Sequence, residues 1–191
     1  MVSGLSEQGR DNALREYANN PVHKAQAVSL DPAGYWTDWG WATRRQAADG
    51  ALEGCQVWNG HPCALIIVDD VLEPNTADGK LLVRDMPRAH FAGSFDPAQI
   101  PQVIDGVRQR TDVVFYSNFA GPKAASYHPE RGRLFINTGG DSQRAVEEAA
   151  LKACNDDTTL KKLSRGCFLY AVGNRVVLPL RLTEPLTPAA R

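Results

Sequence analysis

One ordered set of landmarks occurs twice in this chain, and that recurrence constrains its fold more than any other feature. Residues 21–72 and 121–178 each open on a lysine-alanine step, Lys24-Ala25 and Lys123-Ala124. Each then passes a proline-glycine turn, Asp31-Pro32-Ala33-Gly34 in the first copy and His128-Pro129-Glu130-Arg131-Gly132 in the second. Aromatic and β-branched stretches follow at residues 35–41 and 133–138, so each copy reads as a strand, a turn and a second strand, paired as a hairpin. A helix start comes next. Thr43-Arg44-Arg45-Gln46 matches a capping box, and Asp141 or Ser142 supplies the cap in the second copy.

Both helices run into the same ending. Ala51-Leu52-Glu53-Gly54-Cys55 lies over Ala150-Leu151-Lys152-Ala153-Cys154, with small alanines that let the helix approach a sheet closely. After a polar loop, a second cysteine opens an apolar strand: Cys63 before Ala64-Leu65-Ile66-Ile67-Val68, and Cys167 before Phe168-Leu169-Tyr170-Ala171-Val172. A turn and a short continuation close each copy, at Asp69-Asp70-Val71-Leu72 and at residues 173–178, where Gly173-Asn174 is a hairpin signal. The expected fold is therefore α+β. It has two tandem ββαβ-type repeats, an antiparallel-rich sheet or sheets and one packed helix per repeat, with room for an extra strand in each.

The chain divides into a helical lead-in (1–20), repeat one (21–72), a connector with a short helix (73–120), repeat two (121–178) and an extended tail (179–191). Short helix-like stretches at 11–17 and 104–110 lead into the two first strands and extend the parallel between the copies. Pro74, Pro87, Pro97 and Pro101 interrupt any long helix in the connector. There Leu81-Leu82-Val83 suits an edge strand, and Phe91 and Phe95 suit packing against a neighbouring unit.

Cysteine placement adds a compartment to the fold. One pair falls in each copy, between a helix end and a strand start, so the expected disulfides are Cys55–Cys63 and Cys154–Cys167. No CxxC knuckle supports a zinc site, and thiols at helix C-termini lack the field that favours a reactive thiolate. Disulfides imply an oxidising compartment, periplasmic or secreted, whereas four reduced cysteines would fit a cytoplasmic protein. Residues 1–8 lack the basic start and apolar core of a signal peptide, so export requires a signal already removed, with Met1 as an added start.

Charge and hydropathy exclude other classes. Twenty-one basic against 22 acidic residues give a net charge of −1, which leaves no field to attract nucleic acid. The longest apolar run, residues 64–68, is far short of the ~20 residues of a membrane span. A monomer or weak homodimer is expected.

The Ala-Leu-x-x-Cys helix end, the polar loop and the Cys-strand resemble those of a family of uncharacterised bacterial secreted α/β domains. Its members carry a glycine- and tryptophan-containing strand before the helix. Tyr35-Trp36-Thr37-Asp38-Trp39-Gly40-Trp41 fits that strand, while Leu134-Phe135-Ile136-Asn137-Thr138-Gly139 departs from it. The resemblance covers both repeats and implies fold and compartment, but it implies no chemistry.

Function has to be read from the aromatic strand. Tyr35, Trp36, Trp39 and Trp41 are the candidate binding residues. Period two places Tyr35, Thr37, Trp39 and Trp41 on one face and Trp36, Asp38 and Gly40 on the other, so one ring set is expected to reach solvent. His23, His61, His90 and His128 read as surface or turn histidines with no nucleophile motif beside them. Asp38, Asp69-Asp70 and Asp156-Asp157 read as solvated acids without the spacing of a calcium loop, and Gly139-Gly140 lacks the rest of a nucleotide motif.

No catalytic residue, metal or cofactor is assigned. The favoured function is a non-catalytic exported module that binds an unknown protein or small ligand through the aromatic surface or a groove between repeats. The alternatives are a hydrolase with its site in that groove, and an inhibitor or immunity-type protein acting on a partner enzyme.

Overall fold

The computed structural model describes residues 6–73, 80–161, 163 and 166–182. Its first unit runs α1 (Glu7–Ala18), β1 (Lys24–Leu30), β2 (Ala33–Trp39), α2 (Arg44–Asn59), β3 (Cys63–Val68) and β4 (Val71–Leu72). The connector carries β5 (Val83–Arg84) and two single-turn helices, α3 (Asp105–Arg108) and α4 (Thr111–Val114). The second unit runs β6 (Lys123–His128), β7 (Arg133–Thr138), α5 (Gln143–Asp156), β8 (Phe168–Val172) and β9 (Arg175–Val176). Strand order is β2-β1-β3-β4 in one sheet and β7-β6-β8-β9 in the other, every pair is antiparallel, and β5 adds to the start of β3. The fold is α+β with two units of one topology. The extra final strand is present in both, which makes each unit ββαββ.

The correspondence between the units extends to hydrogen-bond register. Lys24 faces Trp39 as Lys123 faces Thr138, and the β-bulge at Gln26/Ala27 recurs at Ala125/Ser126. One constant shift along the chain carries Lys24 to Lys123, Gly40 to Gly139, Thr43 to Ser142 and Cys55 to Cys154. Gly40 and Gly139 both take positive φ, 78° and 81°, where the chain leaves the hairpin for the helix. Thr43 and Ser142 both cap the next helix, accepting from Gln46 N and Ala145 N at 3.2 Å, so Ser142 is the cap and Asp141 is not.

The same shift carries Tyr17 to Tyr116. Each tyrosine lies under its unit's lysine, with Nζ 4.5 Å from the Tyr17 ring centroid and 5.2 Å from that of Tyr116. Each hydroxyl also anchors the last hairpin turn, Tyr17 accepting from Asp70 N and Tyr116 donating to Gly173 O. The counterpart of α1 is therefore the stretch containing α4, rather than residues 104–110 as the sequence suggested.

Alternation along the strands sends each sheet's two faces to different partners. Ala25, Ala27, Trp36 and Leu65 face α2 and share one core with its Ala47, Ala51 and Cys55. On the opposite face, Gln26 donates to Ala13 O of α1 and to Thr37. In the second unit Ala124, Val146 and Ala150 join sheet to α5, whereas Tyr127, Leu134 and Tyr170 point the other way. There they form the largest core with Phe95, Ile100, Val103 and Tyr116, and Val57 of α2 belongs to it. Helix α2 thus sits between the two sheets, which explains why its residues 50–57 are all buried.

The connector is ordered where it is described. Its edge strand is Val83–Arg84, overlapping the Leu81-Leu82-Val83 expectation only at Val83, and Ser94 bridges to Arg175 of β9. Phe95 stacks on Tyr116 at 4.1 Å between centroids, and Phe91 packs against the same core. Leu178–Leu182 forms a short 3-10 turn in what the sequence suggested was an extended tail. Residues 183–191, Pro74 and Met1 lie outside the described residues.

Both disulfides are as expected, Cys55–Cys63 with Cα atoms 6.3 Å apart and Cys154–Cys167 with 6.1 Å. Cys55 lies one turn before the end of α2, not at its last residue. The bridges close loops of 8 and 13 residues' separation. Replacing both cysteines of either pair by alanine is expected to lower unfolding free energy by about 2–3 kcal/mol. Urea denaturation measures this, and an unchanged midpoint would contradict it. Among the described residues no helix is long and apolar enough to cross a membrane.

Candidate functional site

The aromatic strand lies at the rim of the first sheet, because β2 is paired on one side only. Along its free edge runs a groove of about 790 Å³, open to solvent at the seam between the two units. Residues 32–37 and Trp39 form one wall, and Trp58 and Asn59, from the last turn of α2, form another. Glu16 of α1, Glu130 and Arg131 of the β6–β7 turn, and Leu163 complete it. The Arg131 guanidinium stacks 4.7 Å from the centroid of Trp39. Trp58 is 37% exposed and its ring centroid lies 6.1 Å from that of Phe168.

The four predicted rings do not act as one set. Trp36 is a core residue, 3% exposed, seated against α2 where Gly54 leaves room: a Cβ there would lie 2.2 Å from the indole Nε1. Tyr35 and Trp39 are half-buried in the groove wall, as period two requires of residues on the α1 side of the strand. Trp41 departs from that alternation. The strand ends at Trp39, the positive φ of Gly40 turns the chain, and the Trp41 ring packs against the α2 core instead. Both faces of the sheet carry a helix, so no ring of the four stands fully in solvent.

Behind the groove lies a buried polar network. Asp38 accepts from Gln102 Nε2 at 3.0 Å, from Trp39 N at 2.9 Å and from the Trp41 side chain. Burial nevertheless pushes its carboxyl up to about 6, the three donors opposing that shift. Gln102 continues the network by accepting from Tyr127 OH at 3.1 Å, and its own N–H donates to Glu53 at 2.6 Å. Glu53 is also raised by burial, opposed by the Gln102 N–H and by Arg88, whose Nε lies 2.5 Å away. Gln102 has φ 55°, and its carbonyl packs so close to Gly132 that a Cβ there would sit 1.8 Å away. Asp38 is therefore not a solvated acid. A residue of the connector locks the first unit's carboxylates to the second unit's tyrosine.

The histidines are dispersed. His23 Nδ1 lies 2.6 Å from Asp69, and His90 Nε2 lies 3.3 Å from Asp85 and 3.2 Å from Gln56. His61 is exposed, whereas His128 is 1% exposed inside the second unit, contrary to a surface or turn role. Among the described residues no three His, Cys, Asp or Glu side chains converge in a way that would hold a metal ion.

Sequence reasoning missed Trp58, Arg131 and Gln102. Trp58 carried a signal, an aromatic ring just before the Asn59-Gly60 helix stop; the other two act through tertiary placement that no local pattern encodes. Comparison with protein-family models, curated proteins and solved structures gave no match.

Proposed function

We propose that this chain is a non-catalytic binding module whose ligand seat is the groove along β2. The observation that carries the reading is the groove itself. Tyr35, Trp39 and Trp58 supply flat apolar area at low conformational cost, beside the polar Asn59, Glu130 and Arg131, a mixture suited to binding and orienting a ligand. Two short-range disulfides, and the resemblance to secreted bacterial domains, favour work outside the reducing cytoplasm, in a periplasm or beyond the cell. Duplication of one ancestral unit accounts for the shared register, with the groove arising where the copies meet.

The test is to screen the purified chain against an oligosaccharide array and a displayed random-peptide library. Any ligand found is then compared on wild type, Trp39→Ala and Trp58→Ala. Each variant is expected to weaken binding at least about tenfold, as truncated interface anchors do, with little change in urea midpoint. Ligands that bind both variants as tightly as wild type would place the seat elsewhere.

A further inference from the structure

The walls of the groove indicate what shape of ligand it takes. Residues on a single face of β2 would be 33, 35, 37 and 39, yet Trp36 and Gly34 of the other parity line the groove as well. Both parities are reached together only from the strand's edge. That edge pairs with no strand among the described residues, so backbone groups of β2 border the groove beside aromatic side walls, Trp39 N excepted because it already donates to Asp38.

The second unit shows the opposite treatment of its equivalent edge. There the connector engages β7: Arg110 Nη1 donates to Leu134 O at 2.8 Å, and Gln102 packs on Gly132 at the head of the strand. Over β2 the corresponding space is the groove.

Charge is distributed unevenly along it. Glu16 and Glu130 both have contacts of their own. Arg131 is exposed and its guanidinium lies over the Trp39 ring, at the end of β2, where its charge also acts on the buried Asp38 carboxylate. An exposed guanidinium held over a ring is suited to a bidentate bond with a carboxylate.

We infer that the groove takes an extended peptide, added to the first sheet as a strand beside β2, with a carboxylate of that peptide bound by Arg131. The inference rests on the groove being the ligand seat and adds the class of ligand. Backbone pairing would supply affinity, and alternate side chains of the peptide would meet Tyr35 and Trp39 on one side and Trp58 on the other.

The probe is a peptide selected from the random library, resynthesised with a single N-methyl group at each position in turn and, separately, with its carboxylates converted one at a time to amides. Strand addition predicts losses of about tenfold or more at every second N-methylated position and little at those between, because only alternate N–H groups point at β2. One carboxylate-to-amide change is expected to cost about tenfold on wild type and to cost nothing further on Arg131→Gln, whose substituted side chain is solvent-exposed and leaves the fold intact. An N-methyl scan without alternation, or carboxylate losses that persist in Arg131→Gln, overturns the inference. So does a library that yields no binder. If an oligosaccharide then binds and is lost in Trp39→Ala, the groove remains the seat and only the peptide assignment falls.

Discussion

Replacing Trp36 by alanine is expected to lower unfolding free energy by about 3–5 kcal/mol, the upper range for a truncated aromatic core residue. The reason lies in what surrounds it. Trp36 packs against Ala25 and Ala27 of β1 and Ala47 and Ala51 of α2, with Gly54 directly over its indole. These neighbours are short side chains fixed close to backbone, so they cannot swing in to fill the cavity, and the loss should stay near the top of that range. Trp39→Ala is expected to cost less than about 1 kcal/mol, since its half-buried ring loses chiefly the Arg131 stack. Urea unfolding followed by far-UV circular dichroism measures both. Equal losses in the two variants would mean that the strand's rings are not divided between core and groove.

That division was only half legible in the sequence. Alternation put Trp36 opposite Tyr35 and Trp39, and this is what the sheet does. It failed at Trp41, because a period of two holds only while the strand lasts and Gly40 ends it. The expectation that one face would reach water assumed a single helix per sheet. A second layer on each sheet comes from elements whose patterns are weak: α1 buries only Ala13 and Tyr17, and the connector contributes scattered residues between prolines.

The two units themselves were readable because turn chemistry, caps and cysteines are local signals. Cys-to-Cys pairing followed from their equivalence. Less visible is the tyrosine seven residues before each opening lysine, Tyr17 and Tyr116, because one lies in a three-turn helix and the other in a single-turn piece, so the two share no helical pattern. Buried polar residues were the least legible. Asp38, Glu53 and Gln102 look like surface residues in composition, and only the meeting of both units with the connector satisfies them.

This buried network makes stability depend on pH in a definite direction. The Asp38 carboxyl titrates at about 6 in the folded protein against an ordinary 3.8, so the folded state holds its proton more tightly than the unfolded chain does. A raised folded value contributes stability that is fully present below about pH 4 and is lost as pH rises through about 6, an effect worth about 3 kcal/mol for a shift of this size. Glu53 is shifted the same way and adds to the slope. Asp69 is shifted downward, held by His23 and by Lys24 N, so its contribution is lost only below the ordinary carboxylate range, outside this window.

The urea midpoint is therefore expected to be higher at pH 5 than at pH 7. Asp38→Asn cannot titrate at this position and should remove most of Asp38's share of the difference, because every other ionisable group is common to both proteins and cancels in the comparison. The same variant exchanges an acceptor for a donor opposite Gln102 Nε2, so its stability at pH 7 is not expected to rise even though a buried charge is gone. A pH slope in Asp38→Asn as steep as in wild type would show that Asp38 titrates normally, and would remove the argument that its burial at the junction of the two units sets the charge state behind the groove.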